Sequence, residues 1–294
     1  MKKEISELDK LFEEVGTYRS SKDYKDLLRF ISRFRKYAPY NAMLLHIQKP
    51  GSKYVASASD WASRFNRKPK PGARPLVILR PFGPVAFLYE LNDTEGKKLP
   101  DDIEAPFKAK GIISNKEVEE IVESVYFDGV RIVYQNYGTE RAGQVQVANT
   151  IGTYENNGIK HKFKLPFEMV VNSNLKNCEK MATIYHELGH IYCGHLYNPE
   201  ISYLPQERYM LSDQIVEFEA ESVCWMLCER HGIDNPSAAY LSGYLEENDK
   251  IPDISIETVL KAVGYIEHLI TGLKKPRKEL RMEEKNYGEQ LKLF

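Results

Sequence analysis

Residues 130–196 decide how this chain is read: VRIVYQNYGTERAGQVQVANTIGTYENNGIKHKFKLPFEMVVNSNLKNCEKMATIYHELGHIYCGHL. Short apolar and alternating runs at 130–135, 143–149, 159–165 and 167–173 predict strands. Asn157-Gly158 between two of them is a strong hairpin signal. From about residue 176 the pattern turns helical, with Met181, Ile184, Leu188 and Ile191 forming an apolar stripe. Further helical patterns follow near 211–231, 236–246 and 255–272. Upstream, 115–126 reads as a helix and 75–91, PLVILRPFGPVAFLYEL, as two short strands about a turn at Phe82-Gly83-Pro84. The first fifty residues suggest helices at 5–15 and 23–37 and a shorter one after Pro39. Strands followed by helices, without βαβ alternation, predict an α+β protein.

The 294 residues carry 41 Lys+Arg, 42 Asp+Glu and 42% hydrophobic residues, which argues against disorder and against a fibrous chain. No apolar run approaches the ~20 residues of a membrane-spanning helix, and MKKEISELDK lacks the apolar stretch of a signal peptide. Four cysteines, all between Cys178 and Cys228, make no disulfide framework, so a reducing cytoplasm is the expected setting. The near-zero net charge hides an asymmetry. Residues 1–110 hold 22 basic and 14 acidic side chains, and Arg19–Arg80 alone holds 15 against 3. A polyanion partner for the basic half is one reading, a solvated basic face the other. The polar stretch at about 92–110, with Pro100 and Pro106, reads as a linker. The expected division is therefore 1–110, 111–272, and a mobile charged tail at 273–294.

The most specific motif is His186-Glu187-Leu188-Gly189-His190. At about 100° per residue the two histidines lie about 40° apart on one helix face, so both imidazoles can reach a single ion. Glu187 sits beside them, placed to take a proton from a metal-bound water. Tetrahedral zinc then lacks one protein ligand. His195 falls five residues after His190 and Cys193 stands where a metzincin needs glycine, which disfavours that class. In VEFEAESVCW (216–225), Glu217 and Glu221 share a helix face while Glu219 points about 160° away. Glu217 is the expected third ligand, with Glu221 accepting the spare N–H of a liganding histidine. The two acids could exchange these roles. Cys224 and Cys228 are expected to be core.

With these residues in view, YHELGHIYCGHL and EFEAESVCWML together resemble the ImmA/IrrE-type metallopeptidases, a gluzincin-like group with short HExxH cores. The likeness extends to ArdC-type antirestriction proteins, in the helix NPSAAYLSGYL and in PYNAMLLHIQKPGSKYVASASDWASRFNRKPKPGARPLVILRPFGP (39–84). It covers most of 20–272. The resemblance implies an N-terminal domain that binds single-stranded DNA, a C-terminal zinc metallopeptidase domain, and protection of incoming mobile DNA from restriction. It implies His186, His190 and Glu217 as ligands of one Zn²⁺, Glu187 as general base, and Tyr240 as an oxyanion contact. The basic half is compatible with it. Tyr37, Tyr40, Tyr54, Trp61 and Phe65 interleave with Arg33, Arg35, Lys36, Lys53, Arg64, Arg67, Lys68 and Lys70, so that rings could stack bases while cations track phosphates. The opposing expectation is that the rings are core and only the cations are exposed.

The last residues, Gln290-Leu291-Lys292-Leu293-Phe294, look like the QLxLF peptide that docks on the bacterial sliding clamp. Gln290, Leu291, Leu293 and Phe294 would fill a preformed groove, or fold back onto the domain. Three functional readings remain: a zinc metallopeptidase targeted to single-stranded DNA, a DNA-binding protective protein with an idle or structural metal site, and a regulatory peptidase of the ImmA kind that cleaves a repressor. The protein substrate is not legible.

Overall fold

The computed structural model describes residues 18, 20–80, 83–97, 113–137, 142–199, 201, 203–205, 208–233 and 238–282. Helices and strands are both abundant, as expected. No helix among them is long and apolar enough to cross a membrane. The expected helix at 5–15 and the QLKLF terminus lie outside the described residues.

The chain forms two compact units, Met1–Ile112 with Ser212–Gly264, and Ile113–Leu211 with Tyr265–Phe294. In the first, α1 (Ser21–Arg33) starts at Ser20, whose side chain accepts from the Asp23 N–H. Its 3.6-residue period buries Tyr24, Leu27, Leu28 and Ile31. Next come α2 (Pro39–Gln48), β1 (Val55–Ala56), α3 (Ala58–Phe65), β2 (Arg67–Pro69), β3 (Leu76–Arg80), β4 (Gly83–Glu90) and β5 (Thr94–Gly96). β4 pairs antiparallel with β3 and β1, and β2 with β5. The linker expected from residue 92 therefore begins later. Thr94–Gly96 is a paired strand, clasped by the Arg67 guanidinium through Thr94 Oγ1 at 2.9 Å and the Thr94 carbonyl at 2.7 Å.

Two side-chain amides of α2 close the outer edge of β3. Asn41 donates to the Leu79 carbonyl at 3.0 Å and accepts from the Leu79 N–H at 2.9 Å. Gln48, two turns further on, makes the same pair of bonds with Val77, both at 2.8 Å. Each amide supplies the donor and the acceptor that a neighbouring strand would supply.

The segment expected to belong with 111–272 contributes α6 (Asp213–His231), α7 (Ala238–Glu247) and most of α8 (Ile256–Ile270), and through Gly264 it groups with the N-terminal half. The reason is polar as well as apolar. Arg230, 3% exposed, donates to the carbonyls of Ile31 at 2.8 Å and Tyr37 at 2.9 Å. Arg35 donates to the Glu229 carbonyl, the Ser21 N–H reaches the Asp249 carbonyl at 3.0 Å, and Tyr24 packs against Phe218.

The second unit begins with α4 (Asn115–Phe127), held by a Ser114/Glu117 capping box. Its sheet has the order β6-β8-β7, where β6 is Val130–Gln135, β7 Gly143–Asn156 and β8 Ile159–Asn172. β8 runs parallel to β6 and antiparallel to β7. The two strands expected at 159–165 and 167–173 are one continuous strand through Pro166. A bulge explains this, because the β7–β8 register shifts between Val147, opposite Phe167, and Thr150, opposite Leu165. A proline lacking its N–H is tolerated at such a break. Asn157 and Gly158, at φ 53° and 76°, make the expected tight turn.

The helix carrying His186 is α5 (Asn177–Tyr192), which lies against β7 and β8. The chain after residue 273 is not a free tail as far as Met282. Leu280 is buried with Phe163 and Leu165, Arg277 pairs with the buried Asp128, and Arg281 bridges to Phe163. Burial pushes the Asp128 carboxyl up to about 7 against the pull of Arg277.

Candidate metal centre

α5 presents its motif because its other face is committed to the core. Met181, Ile184, Leu188 and Ile191 are all buried, as the stripe predicts. His186 and His190 are half-buried on the opposite side, and their Nε2 atoms stand 3.1 Å apart. Two nitrogens each 2.0–2.1 Å from a tetrahedral ion stand about 3.3 Å apart. The pair thus already has nearly the separation a zinc ion requires, and imidazole nitrogen is a donor zinc favours. Glu187, 8% exposed, lies between them in sequence. A Cβ added at Gly143 would lie 2.6 Å from the Thr183 methyl, 2.8 Å from the Val170 carbonyl and 3.6 Å from Glu187 Oε1. Glycine at this position lets β7 run close beside the carboxylate. Residues 167–172 lie in the central strand β8, and β7 is an outer strand.

α5 ends in a left-handed turn. Gly194 sits at φ 76°, its N–H bonds the Ile191 carbonyl at 3.1 Å, and the His195 N–H bonds the His190 carbonyl at 3.0 Å. This pattern is the Schellman motif, which brings the side chains of its first and last residues together. Here those residues are His190 and His195, and their Nδ1 atoms are 3.0 Å apart. Sequence reasoning considered His195 as a ligand, set it aside, and missed this contact. The signal was available as glycine four residues and histidine five residues after His190.

Of the expected acids, Glu217 is exposed on α6 and Glu221 half-buried one turn later. Glu219 is fully buried and accepts from the Ser255 N–H at 2.7 Å, a structural role that fits its different helix face. Tyr240 falls in α7, with its side chain outside the described residues. Cys224 and Cys228 are wholly buried core residues; the Cys224 thiol is pushed up by its hydrogen bond to Cys228 and by burial.

The expected DNA-contacting residues divide into two sets. Trp61 is 0% exposed, with its indole N–H on the Tyr89 carbonyl at 2.8 Å, and offers no face to a base. That expectation is corrected: packing against Tyr54 and Phe65 uses the ring. Arg67 spends its guanidinium on the Thr94 hydroxyl and carbonyl, and Arg35 donates to the Glu229 carbonyl, as described. Tyr40 is half-buried, and burial raises its hydroxyl to about 12. Arg33, Lys36, Lys53, Arg64, Lys68 and Lys70 are exposed. Lys68 lies 3.4 Å from Glu95 and Lys70 donates to the Asn92 carbonyl at 2.9 Å.

No protein-family model matches the chain. It is 21% identical to an uncharacterized protein of Bacillus anthracis, an alignment that takes in 99% of this chain and 56% of that one. The chain thus spans about half the length of the curated relative it matches. Among solved structures, the metal-free crystal structure of the antirestriction protein ArdC from plasmid R388 aligns with a TM-score of 0.34 and 15% identity. That alignment covers 79% of this chain and 81% of the other.

Proposed function

We propose that the chain is an ArdC-like antirestriction protein that joins a single-strand-binding basic half to a zinc metallopeptidase centre. The observation that carries the enzymatic part is the convergence of His186 and His190 Nε2 at 3.1 Å, with Glu187 on the same helix. His186, His190 and Glu217 would hold one zinc, with Glu221 beside Glu217 on the same helix face. Bound there, the ion would supply an acidified water and a Lewis acid for a carbonyl. Glu187 would take a proton from the attacking water and deliver it to the leaving amine nitrogen. An extended peptide would pair with the outer strand β7 near Gly143, where a Cβ would stand 3.6 Å from Glu187 Oε1. Metal analysis of the purified chain tests the ligand set. About one zinc per chain is expected, falling sharply in His186→Ala and in Glu217→Ala; full occupancy in Glu217→Ala would remove it as a ligand.

The DNA-binding and antirestriction parts rest on the resemblance of the quoted segments and on the charge of the basic half. Single-stranded oligonucleotides should bind the full chain more tightly than duplex, with log K falling against log salt by about 0.7 per phosphate contacted. Lys36→Ala and Arg64→Ala should each shallow that slope by roughly one contact. Absence of binding at low salt would leave a repressor-cleaving regulatory peptidase as the leading account.

A further inference from the structure

We infer that His195 is the positioning residue of the metal centre: its Nδ1 accepts the Nδ1–H of His190 and thereby fixes His190 in the tautomer whose Nε2 lone pair faces His186. The inference rests on the zinc reading above and assigns to a histidine the orienting role expected of Glu221.

A neutral imidazole carries its proton on one nitrogen only, so whatever holds that proton decides where the lone pair points. His190 Nε2 is 3.1 Å from His186 Nε2, and His190 Nδ1 is 3.0 Å from His195 Nδ1. A nitrogen that ligates a cation must be unprotonated, so a ligating His190 carries its proton on Nδ1. At 3.0 Å that proton meets the lone pair of His195 Nδ1, and His195 must then hold its own proton on Nε2. One tautomer on each of these two rings satisfies both the His190–His195 contact and the lone pair turned toward His186. The rings cross at 69°, close to perpendicular, with centroids 5.1 Å apart.

The backbone holds His195 there. In the Schellman turn, the contact between the first and last side chains is ordinarily apolar; here it is between two imidazoles. The turn depends on Gly194, which sits at φ 76° and whose added Cβ would stand 2.3 Å from the Pro205 carbonyl oxygen. The carbonyl of Cys193, in the same turn, accepts from Arg208 Nε at 3.0 Å. The partner of His190 is thus carried by the same helix end as His190 itself. A partner so placed needs no other element to arrive before the histidine is oriented.

The test is the zinc affinity of the full-length chain, measured by competition with a chromophoric chelator for the wild type and for His195→Ala, His195→Phe and His195→Asn. Loss of the partner of a metal-bound histidine typically costs 10–100-fold in affinity. His195→Ala and His195→Phe should both fall in that range, and His195→Asn, whose amide oxygen can accept the same proton, should recover most of the loss. Phe fills the volume without an acceptor, so equal affinities for His195→Phe and His195→Asn would assign the effect to packing and overturn the inference. Wild-type affinity in His195→Ala would overturn it too. Gly194→Ala should reproduce the His195→Ala loss, because it displaces the turn. In the metal-free chain, nitrogen-15 shifts of His190 should report the Nδ1–H tautomer in the wild type and a mixture in His195→Phe; a mixture in both would also overturn it. A wild type that binds no zinc, with the Nδ1–H tautomer still present, would sink the zinc reading and leave the hydrogen bond standing.

Discussion

On the proposed mechanism, Glu187→Gln is expected to abolish peptide-bond hydrolysis while leaving the fold and any bound zinc as in the wild type. Gln keeps the shape of the side chain and one carbonyl-type oxygen but cannot accept a proton from water at neutral pH. General acid–base catalysis by a placed group contributes about 10²–10⁴-fold. Glu187 would serve as base and then as acid, so a loss of about 10³-fold or more in kcat is expected. The measurement is cleavage of an unfolded protein substrate, alongside metal analysis and circular dichroism of both proteins. Hydrolysis at the wild-type rate would remove Glu187 from the mechanism. The same variant separates two of the functional readings. If protection of transferred DNA survives in Glu187→Gln, the centre is idle in that role and the chain protects by binding. If protection disappears with hydrolysis, proteolysis is the operative activity.

The second large effect is on stability. Arg230→Met should lower the unfolding free energy by about 3 kcal/mol, because it strips the buried carbonyl of Ile31 and the part-buried carbonyl of Tyr37 of a charged donor. Urea unfolding followed by tryptophan fluorescence reads this directly, since Trp61 lies in the same compact unit. Arg35→Met, which removes a half-exposed donor to the Glu229 carbonyl, should cost clearly less. A midpoint for Arg230→Met equal to that of the wild type would show that the Arg230 hydrogen bonds add nothing measurable to the hold of Ser212–Gly264 on the N-terminal half. A second readout follows from His231, which burial, with Arg230 and Arg35 adding to it, holds down at about 4. Removing the Arg230 charge should move that imidazole upward toward its ordinary value.

The α5 motif was legible because both the spacing of its histidines and the burial of its apolar face obey one period. Histidines at i and i+4 and apolar residues at i, i+3 and i+7 are visible without any tertiary knowledge. β7, β8 and their turn were legible for the same local reason. What escaped were features made by residues distant in sequence. Arg230 reads as a last-turn cation, and only the fold shows its guanidinium against carbonyls some 200 residues away. Trp61 among lysines and arginines reads as a platform for bases, yet a large ring near a short sheet is worth more inside it. Pro166 reads as a strand end until the bulge opposite it is known. Leu280, in a charged terminal stretch, reads as a loose residue until Phe163 and Leu165 are seen to need cover. Glu217 and Glu221 could be placed on one helix face, but a helical period alone does not choose between them.

The two amides on α2 have a consequence beyond closing an edge. Along a strand, only every second residue turns its N–H and C=O toward a given side. Asn41 and Gln48 address Leu79 and Val77, two residues apart, so both read the same side of β3. If β3 slid by one residue against β4, both amides would face backbone groups turned the wrong way, and four hydrogen bonds would be lost at once. The helix therefore acts as a gauge for the strand. It fixes which residues of LVILR face inward, on a side of β3 where, among the described residues, no strand pairs to enforce the alignment.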